Sequence, residues 1–305
     1  MTIKNISLIG AGAIGAYFID GLEALDDVNF SIIAKGDRYD RLAQNGLTIN
    51  GRRHMLNLKR PEEVAECDLL LITTKYDGLK SALEDIKTIT KPNTIILSLL
   101  NGIDSEEIIS TVVPAEQIVY SIMRISAQRQ GNSVTYDPEI TYGFTFGEKD
   151  TPEKTDRCIA IDELFNRTSI RHKFLSDIKS DMWRKFGNNI AFNLPQAVLD
   201  VPYGSYFDSE HMEYINKRLE MEVRSVAEKY GITFGHLGNK KDTCLPTAIF
   251  STLQDIRASR HTEIEMFLGV FLTKAKEVGV DVPFAEYTYH AIKVIEEKID
   301  GKFEY

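Results

Sequence analysis

The sequence predicts an α/β protein of two domains, with strands and helices alternating over residues 1–175 and helices alone over residues 176–305. Two observations carry that expectation. Apolar runs of strand length, opened by a glycine-rich turn at the chain start, recur through the first half and end in polar residues. After Ser176 no strand pattern returns, and the apolar positions recur at helical spacing. No Gly/Pro/Ser-rich linker separates the halves, so the junction is expected to be tight.

Composition bounds the function classes. The chain has 305 residues, 43% of them hydrophobic, and 36 basic against 45 acidic residues give a net charge of −9. That balance argues against a nucleic-acid binder or a basic membrane-surface protein. The start, MTIKNISLIGAG, shows no signal-peptide cleavage pattern, and its apolar run is too short to cross a bilayer. Cys67, Cys158 and Cys244 are widely separated, and the six histidines are scattered, so neither residue type shows metal-ligand spacing. The expectation is a cytoplasmic protein without a metal.

Taken in order, the first strand is Ile3, Ile6, Leu8 and Ile9, which runs straight into Gly10-Ala11-Gly12-Ala13-Ile14-Gly15 and then a helical pattern. This is the dinucleotide fingerprint of a Rossmann domain. Gly10 permits the turn, Gly12 lets a pyrophosphate approach, and Gly15 lets helix and strand pack closely. The next strand, VNFSIIAK, ends at Lys35, where an NAD site would usually place an acid for the ribose. Lysine attracts a 2′-phosphate, so NADP(H) is expected over NAD(H). Asp37 keeps the second cofactor open, and Arg38 and Arg41 read as surface charge on the following helix. CDLLLITTK and NTIILSLLNG end at Lys75 and Asn101-Gly102, at strand ends where ligands of open parallel sheets bind. SVTYD and ITYGFTFGEK alternate like antiparallel strands, TPEKTDRCIAIDELFNRT reads as a capped helix, and SIRHKFL as a closing strand.

Four helices are expected in the second half, over 176–193, 210–231, 251–279 and 284–299. In the first, WRKFGNNIAFN places Phe186, Ile190 and Leu194 on one face and Lys185, Asn189 and Asn193 on the next. Asparagine is a poor helix former, so a row of one ammonium and two carboxamides asks for a substrate. In the third helix, Leu253, Ile256, Arg260, Glu263, Phe267 and Val270 would form one stripe. Its two charges are either an ion pair on a wet face or a sign that Glu263 faces a cleft. Ser251 followed by Gln254 also reads as a capping box.

Together GAGAIG (10–15), TTK (73–75), NG (101–102), WRKFGNNIAFN (183–193) and STLQDIRASRHTEIE (251–265) resemble the ketopantoate reductase (2-dehydropantoate 2-reductase) family over nearly the whole chain. The resemblance implies a Rossmann domain, a helical domain like that of 6-phosphogluconate dehydrogenase, and an active site between them. It implies Lys185 as the catalytic lysine and Glu263 as the acidic residue of the active site. Asn189, Asn193 and Ser251 are then substrate ligands. Lys75, Asn101 and Ala127 line the cofactor site, with Asn101 near substrate and Glu263 near cofactor as well. Lys35 takes the position that receives the 2′-phosphate. Three positions depart from the family: Leu100 stands for its usual glutamine, and Tyr203 and Ala248 stand where some members have polar ligands. Read as pocket walls, they bear on substrate identity. The implied reaction is NADPH-dependent reduction of 2-dehydropantoate to pantoate, the reductive step toward pantothenate and coenzyme A. Its alternatives are reduction of another branched or hydroxylated 2-oxo acid, and a non-catalytic NADP(H) sensor. The expected partners are a small 2-oxo acid and a second copy of the chain, with neither nucleic acid nor membrane.

Overall fold

In chain order the strands are β1 (Asn5–Ile9), β2 (Asn29–Ile33), β3 (Leu47–Ile49), β4 (Arg52–His54), β5 (Leu58–Lys59), β6 (Leu69–Ile72), β7 (Ile95–Ser98), β8 (Ile118–Arg124), β9 (Ala127–Gln130), β10 (Ser133–Tyr136), β11 (Gly143–Gly147) and β12 (His172–Phe174). The helices are α1 (Ala13–Leu22), α2 (Gly36–Asn45), α3 (Tyr76–Ile89), α4 (Ser105–Ile109), α5 (Asp156–Phe165), α6 (Ile178–Asn188), α7 (Leu194–Leu199), α8 (Ser205–Asp208), α9 (Glu210–Lys229), α10 (Ser251–Arg257), α11 (Val270–Glu277) and α12 (Pro283–Ile299). This computed structural model describes residues 2–238, 244–303 and 305. The chain forms two units, Met1–Lys179 and Ser180–Tyr305.

The first unit is built on an eight-stranded sheet of order β12-β11-β8-β7-β6-β1-β2-β5. Its strands are parallel except that β11 runs antiparallel to β8. Leu69, Leu70, Leu71 and Ile72 are all 0% exposed, because apolar clusters cover both faces of the sheet. One cluster centres on Phe18, Phe144, Phe146 and Phe165, the other on Leu79, Ile86 and Ile109. A second, four-stranded sheet of order β4-β3-β10-β9 packs on α1. The two alternating stretches expected as antiparallel strands are so, but with other partners: β10 pairs with β9 and β11 with β8, in different sheets. Alternation fixes which face of a strand is buried and leaves its partner open. Strands β3 to β5 have two or three residues each, too short for a periodicity to show.

In the second unit, α6 continues through a single wider π turn, Asn189–Asn193, into α7. The helical rod therefore runs past Pro195, where the sequence pattern stops it. Proline has no N–H to give, and the re-registered turn just before it absorbs the missing bond. Helix α9 is capped by Ser209, whose side chain accepts from the Met212 amide, and Gly231 turns the chain out at φ +71°. The third expected helix is not continuous. Helix α10 ends at Arg257, Ser259 adopts φ +52°, and Arg260 folds back to Asp255 at 2.7 Å. Helical structure resumes in a π turn, Glu265–Gly269, that leads into α11. The six-residue stripe from Leu253 to Val270 thus does not exist as one face. Asp255 captures the charge that was to break the stripe, and the left-handed Ser259 ends the first piece. Among the described residues, no helix is long and apolar enough to cross a membrane.

Candidate active site

Strand register brings the predicted cofactor residues of the first unit to one edge. Ile9 lies level with Ile33 and with Ile72, and Ile72 with Ser98. The loops that begin at Gly10, Ala34, Thr73 and Leu99 therefore leave the same end of the sheet, and Ala127, just past the end of β8, joins them. Gly10 is required there: at φ +109°, its added Cβ would sit 2.6 Å from the Thr73 carbonyl carbon. A Cβ on Gly15 would meet the Gly10 oxygen at 2.1 Å, whereas one on Gly12 would meet only the Arg129 guanidinium, at 3.9 Å. The loop is thus closed behind Gly10 and Gly15 and open before Gly12, which is the shape a pyrophosphate needs. Helix α1 has no side-chain cap, so the amides of its first turn at Ala13 and Ile14 have no side chain to serve them.

Sequence reasoning passed over Thr73, whose hydroxyl donates to the Gly10 oxygen at 2.5 Å and fastens the turn. The Thr74 hydroxyl beside it is buried with no hydrogen-bond partner among the described residues. Both lie in the TTK run, but a threonine hydroxyl aimed at a distant turn leaves no mark in local pattern. Lys75, exposed, is the N-cap residue of α3, and Asn101 is half-buried in the loop that Gly102 turns at φ +99°. Beneath that loop, the Ser98 and Ser105 hydroxyls lie 2.7 Å apart, and Ser105 donates to Glu106 at 2.9 Å. Burial pushes the Glu106 carboxyl up to about 7. Lys35 is the N-cap residue of α2, with its ammonium 2.7 Å from Asp85 of α3.

The second unit holds the other predicted residues. Phe186, Ile190 and Leu194 are at most 1% exposed and anchor the rod, while Lys185, Asn189 and Asn193 on the next face are half-buried. The Asn193 amide donates to the Asn189 side-chain oxygen at 2.9 Å. The row thereby acquires a polarity: Asn189 keeps its N–H groups and Asn193 its oxygen for other partners. Of the paired asparagines, Asn188 is structural, because its side-chain oxygen accepts from the Gly238 amide at 2.6 Å.

Ser251 is the first residue of α10, and no side-chain cap forms there; Gln254 donates instead to the Ile249 carbonyl. The capping-box explanation of this serine therefore falls. Gln196 of α7, fully buried, accepts from the Phe250 amide at 2.7 Å and donates to the Ala248 carbonyl at 3.1 Å. It holds the approach to Ser251 against the rod, and α10 packs on both α7 and the 189–193 turn. Glu263, half-buried, follows the bend at Ser259. The Glu296 carboxylate of α12 pins that bend, accepting from the amide and hydroxyl of Thr262 at 2.8 Å each and from Lys293 at 3.0 Å.

Two departures expected as pocket walls are core residues. Leu100 is 4% exposed within the Leu79–Ile109 cluster, and Tyr203 is 1% exposed among Phe192, Tyr206, Phe207 and Phe250. A bulky apolar or aromatic residue at these positions fills core volume.

The sequence model of the Ketopantoate reductase PanE/ApbA family matches residues 6–148, and the model of its C-terminal domain matches residues 177–296. A 2-dehydropantoate 2-reductase of Nostoc sp. is 25% identical, over 97% of this chain and 96% of that one. Among solved structures, a putative ketopantoate reductase from Ralstonia solanacearum is similar at a TM-score of 0.84 and 18% identity, over 98% and 99% of the two chains. A D-mandelate dehydrogenase solved with NADH and anilino(oxo)acetate is similar at a TM-score of 0.81 and 23% identity, over 97% and 99%. At these identities, the two structures speak for the fold.

Proposed function

We propose a reaction for this chain, which belongs to the ketopantoate reductase family and is an oxidoreductase: the NADPH-dependent reduction of 2-dehydropantoate to pantoate. The observation that carries the proposal is the Lys185–Asn189–Asn193 row, kept on one rigid rod across the π turn with its two carboxamides linked at 2.9 Å. The family match and the open glycine turn of the first unit support a nicotinamide dinucleotide as cofactor, which supplies hydride when bound.

This chain's residues do the rest. Lys185, held on a helix, hydrogen-bonds the substrate's carbonyl oxygen, stabilises the negative charge that develops there, and delivers the proton. Asn189 offers its N–H groups to the carboxylate, and Asn193 its oxygen to a substrate hydroxyl. Ser251 adds a second hydroxyl contact, and Glu263 keeps the lysine charged and accepts a hydrogen bond from a substrate hydroxyl. Lys75, Asn101 and Ala127 line the cofactor. The same reading includes a homodimer, for which Tyr214 and Met221 on α9 and Tyr287 and Val294 on α12 supply exposed apolar surface. It also includes a reducing cytoplasm, in keeping with three free cysteines.

A second substrate reading, another branched or hydroxylated 2-oxo acid, is favoured by the D-mandelate dehydrogenase of the same fold. NADPH oxidation, followed by absorbance with 2-dehydropantoate beside a panel of other 2-oxo acids, separates the two. Turnover confined to another acid would replace the first reading, and cofactor binding without any turnover would leave a sensor.

A further inference from the structure

Three arginines gather beside the glycine turn, and the reaction above gives only the cofactor as a reason for them. Arg129, on β9 of the small sheet, donates from Nη1 to the Ala11 carbonyl at 3.2 Å and from Nε to the Gly131 carbonyl at 2.9 Å. Its guanidinium thereby stands across the open side of Gly12. Arg38 and Arg41 come from α2, which follows β2, and lie three residues apart on one face of that helix. Partial burial, then the charges of Arg129 and Arg41, hold the Arg38 pKa below the ordinary arginine value; partial burial and Arg41 do the same to Arg129. None of the three has a carboxylate partner among the described residues, and all are exposed to solvent. Like charges held together in this way are destabilising until an anion joins them.

The position of the cluster says which anion. In a dinucleotide fold, the pyrophosphate rests on the first helix, and the end of the second strand reads the adenosine ribose. Arg129 reaches in from the pyrophosphate side and Arg38 from the ribose side. Lys35, the basic residue that the sequence offers for the ribose phosphate, is already neutralised by Asp85, itself only 17% exposed.

We infer that Arg129, Arg38 and Arg41 together hold the 2′-phosphate of the cofactor, and that Lys35 plays a minor part. The inference rests on the dinucleotide reading above and adds to it the residues that select the phosphorylated form. The small sheet then has a function: it carries Arg129 to the cofactor. A phosphate monoester carries a charge of about −1.5 to −2 at neutral pH, enough to relieve the cluster, whereas NADH brings nothing to it.

The test is calorimetry of the full chain with 2′,5′-ADP and with 5′-ADP, repeated as fluorescence titration with NADPH and NADH. Arg38→Gln and Arg129→Gln should each weaken 2′,5′-ADP and NADPH by about tenfold or more while 5′-ADP and NADH change less than about threefold. Lys35→Gln should change all four by less than about threefold. Among the described residues, Arg38 makes no hydrogen bond that holds the fold, so its variant answers even if Arg129→Gln disturbs the glycine turn. Equal weakening of both ligands by the arginine variants would reassign the cluster to the pyrophosphate, and a loss confined to Lys35→Gln would return the phosphate to the lysine; either overturns the inference. Wild-type protein that binds 2′,5′-ADP and 5′-ADP alike would overturn it while leaving the reductase reading intact. Protein that binds no dinucleotide would instead sink the reading beneath it.

Discussion

Lys185 lies in the last turn of α6, one turn ahead of the asparagine pair, and is half-buried. Lys185→Ala should lower kcat by about 10²- to 10⁴-fold with far-UV circular dichroism preserved, since it removes the proton donor. Near-normal turnover would dismiss the lysine as general acid. Glu106 is the opposite kind of residue, a carboxyl with its pKa raised by burial to about 7. The native state keeps a proton that the unfolded chain loses near pH 4.5, so stability falls as pH rises from there to about 7 and stays reduced above it. The penalty is on the order of 3 kcal/mol. Glu106→Gln should therefore raise the melting temperature by several degrees at pH 8 and by little at pH 4.5. A difference that does not vary with pH would refute the buried acid.

At the level of elements, the glycine turn and the 258–264 bend are held by different means. The turn is held by lack of side chains, by the Thr73 hydroxyl on the Gly10 oxygen and by the Arg129 guanidinium on the Ala11 carbonyl. A methyl on Gly15 would drive into the Gly10 oxygen, so Gly15→Ala should weaken cofactor binding by more than about tenfold, as calorimetry would report, with far-UV circular dichroism preserved. The bend is held by the charge on Glu296, which accepts two hydrogen bonds from Thr262 and pairs with Lys293. Charge-assisted bonds of this kind are worth about 1.5–3 kcal/mol each, so their weakening frees the backbone just ahead of Glu263. Glu296→Gln should lower kcat/KM for the 2-oxo acid by about three- to tenfold, roughly 1 kcal/mol. An unaltered kcat/KM would show that the bend is held without it.

For the molecule as a whole, the net charge of −9 repels an anionic cofactor, and local cations must overcome that field. Screening acts most on exposed charges. Raising ionic strength from about 0.05 to 0.2 M should thus weaken NADPH more than NADH, measurable in the same titrations. NADPH at about a hundred times its dissociation constant should stabilise the protein by about 2.7 kcal/mol, visible as an upward thermal shift. No shift at all would count against the dinucleotide site.

Residue chemistry and short-range spacing were enough to identify the glycine turn, the polar strand ends at Lys35, Lys75 and Asn101, and the Lys–Asn–Asn row, because each depends on neighbours within one element. They also separated a strand-bearing half from a helical one, since the two periodicities differ. What depends on groups far apart in the chain stayed hidden. The break at Ser259 is fixed by Asp255 and by Glu296 of α12. The cores around Leu100 and Tyr203 are closed by residues from several elements. Arg129 meets the glycine turn only because the small sheet folds against α1, the guanidinium and the carbonyl it touches being 118 positions apart in the chain. Local pattern records the face a residue presents, and tertiary packing decides what that face meets.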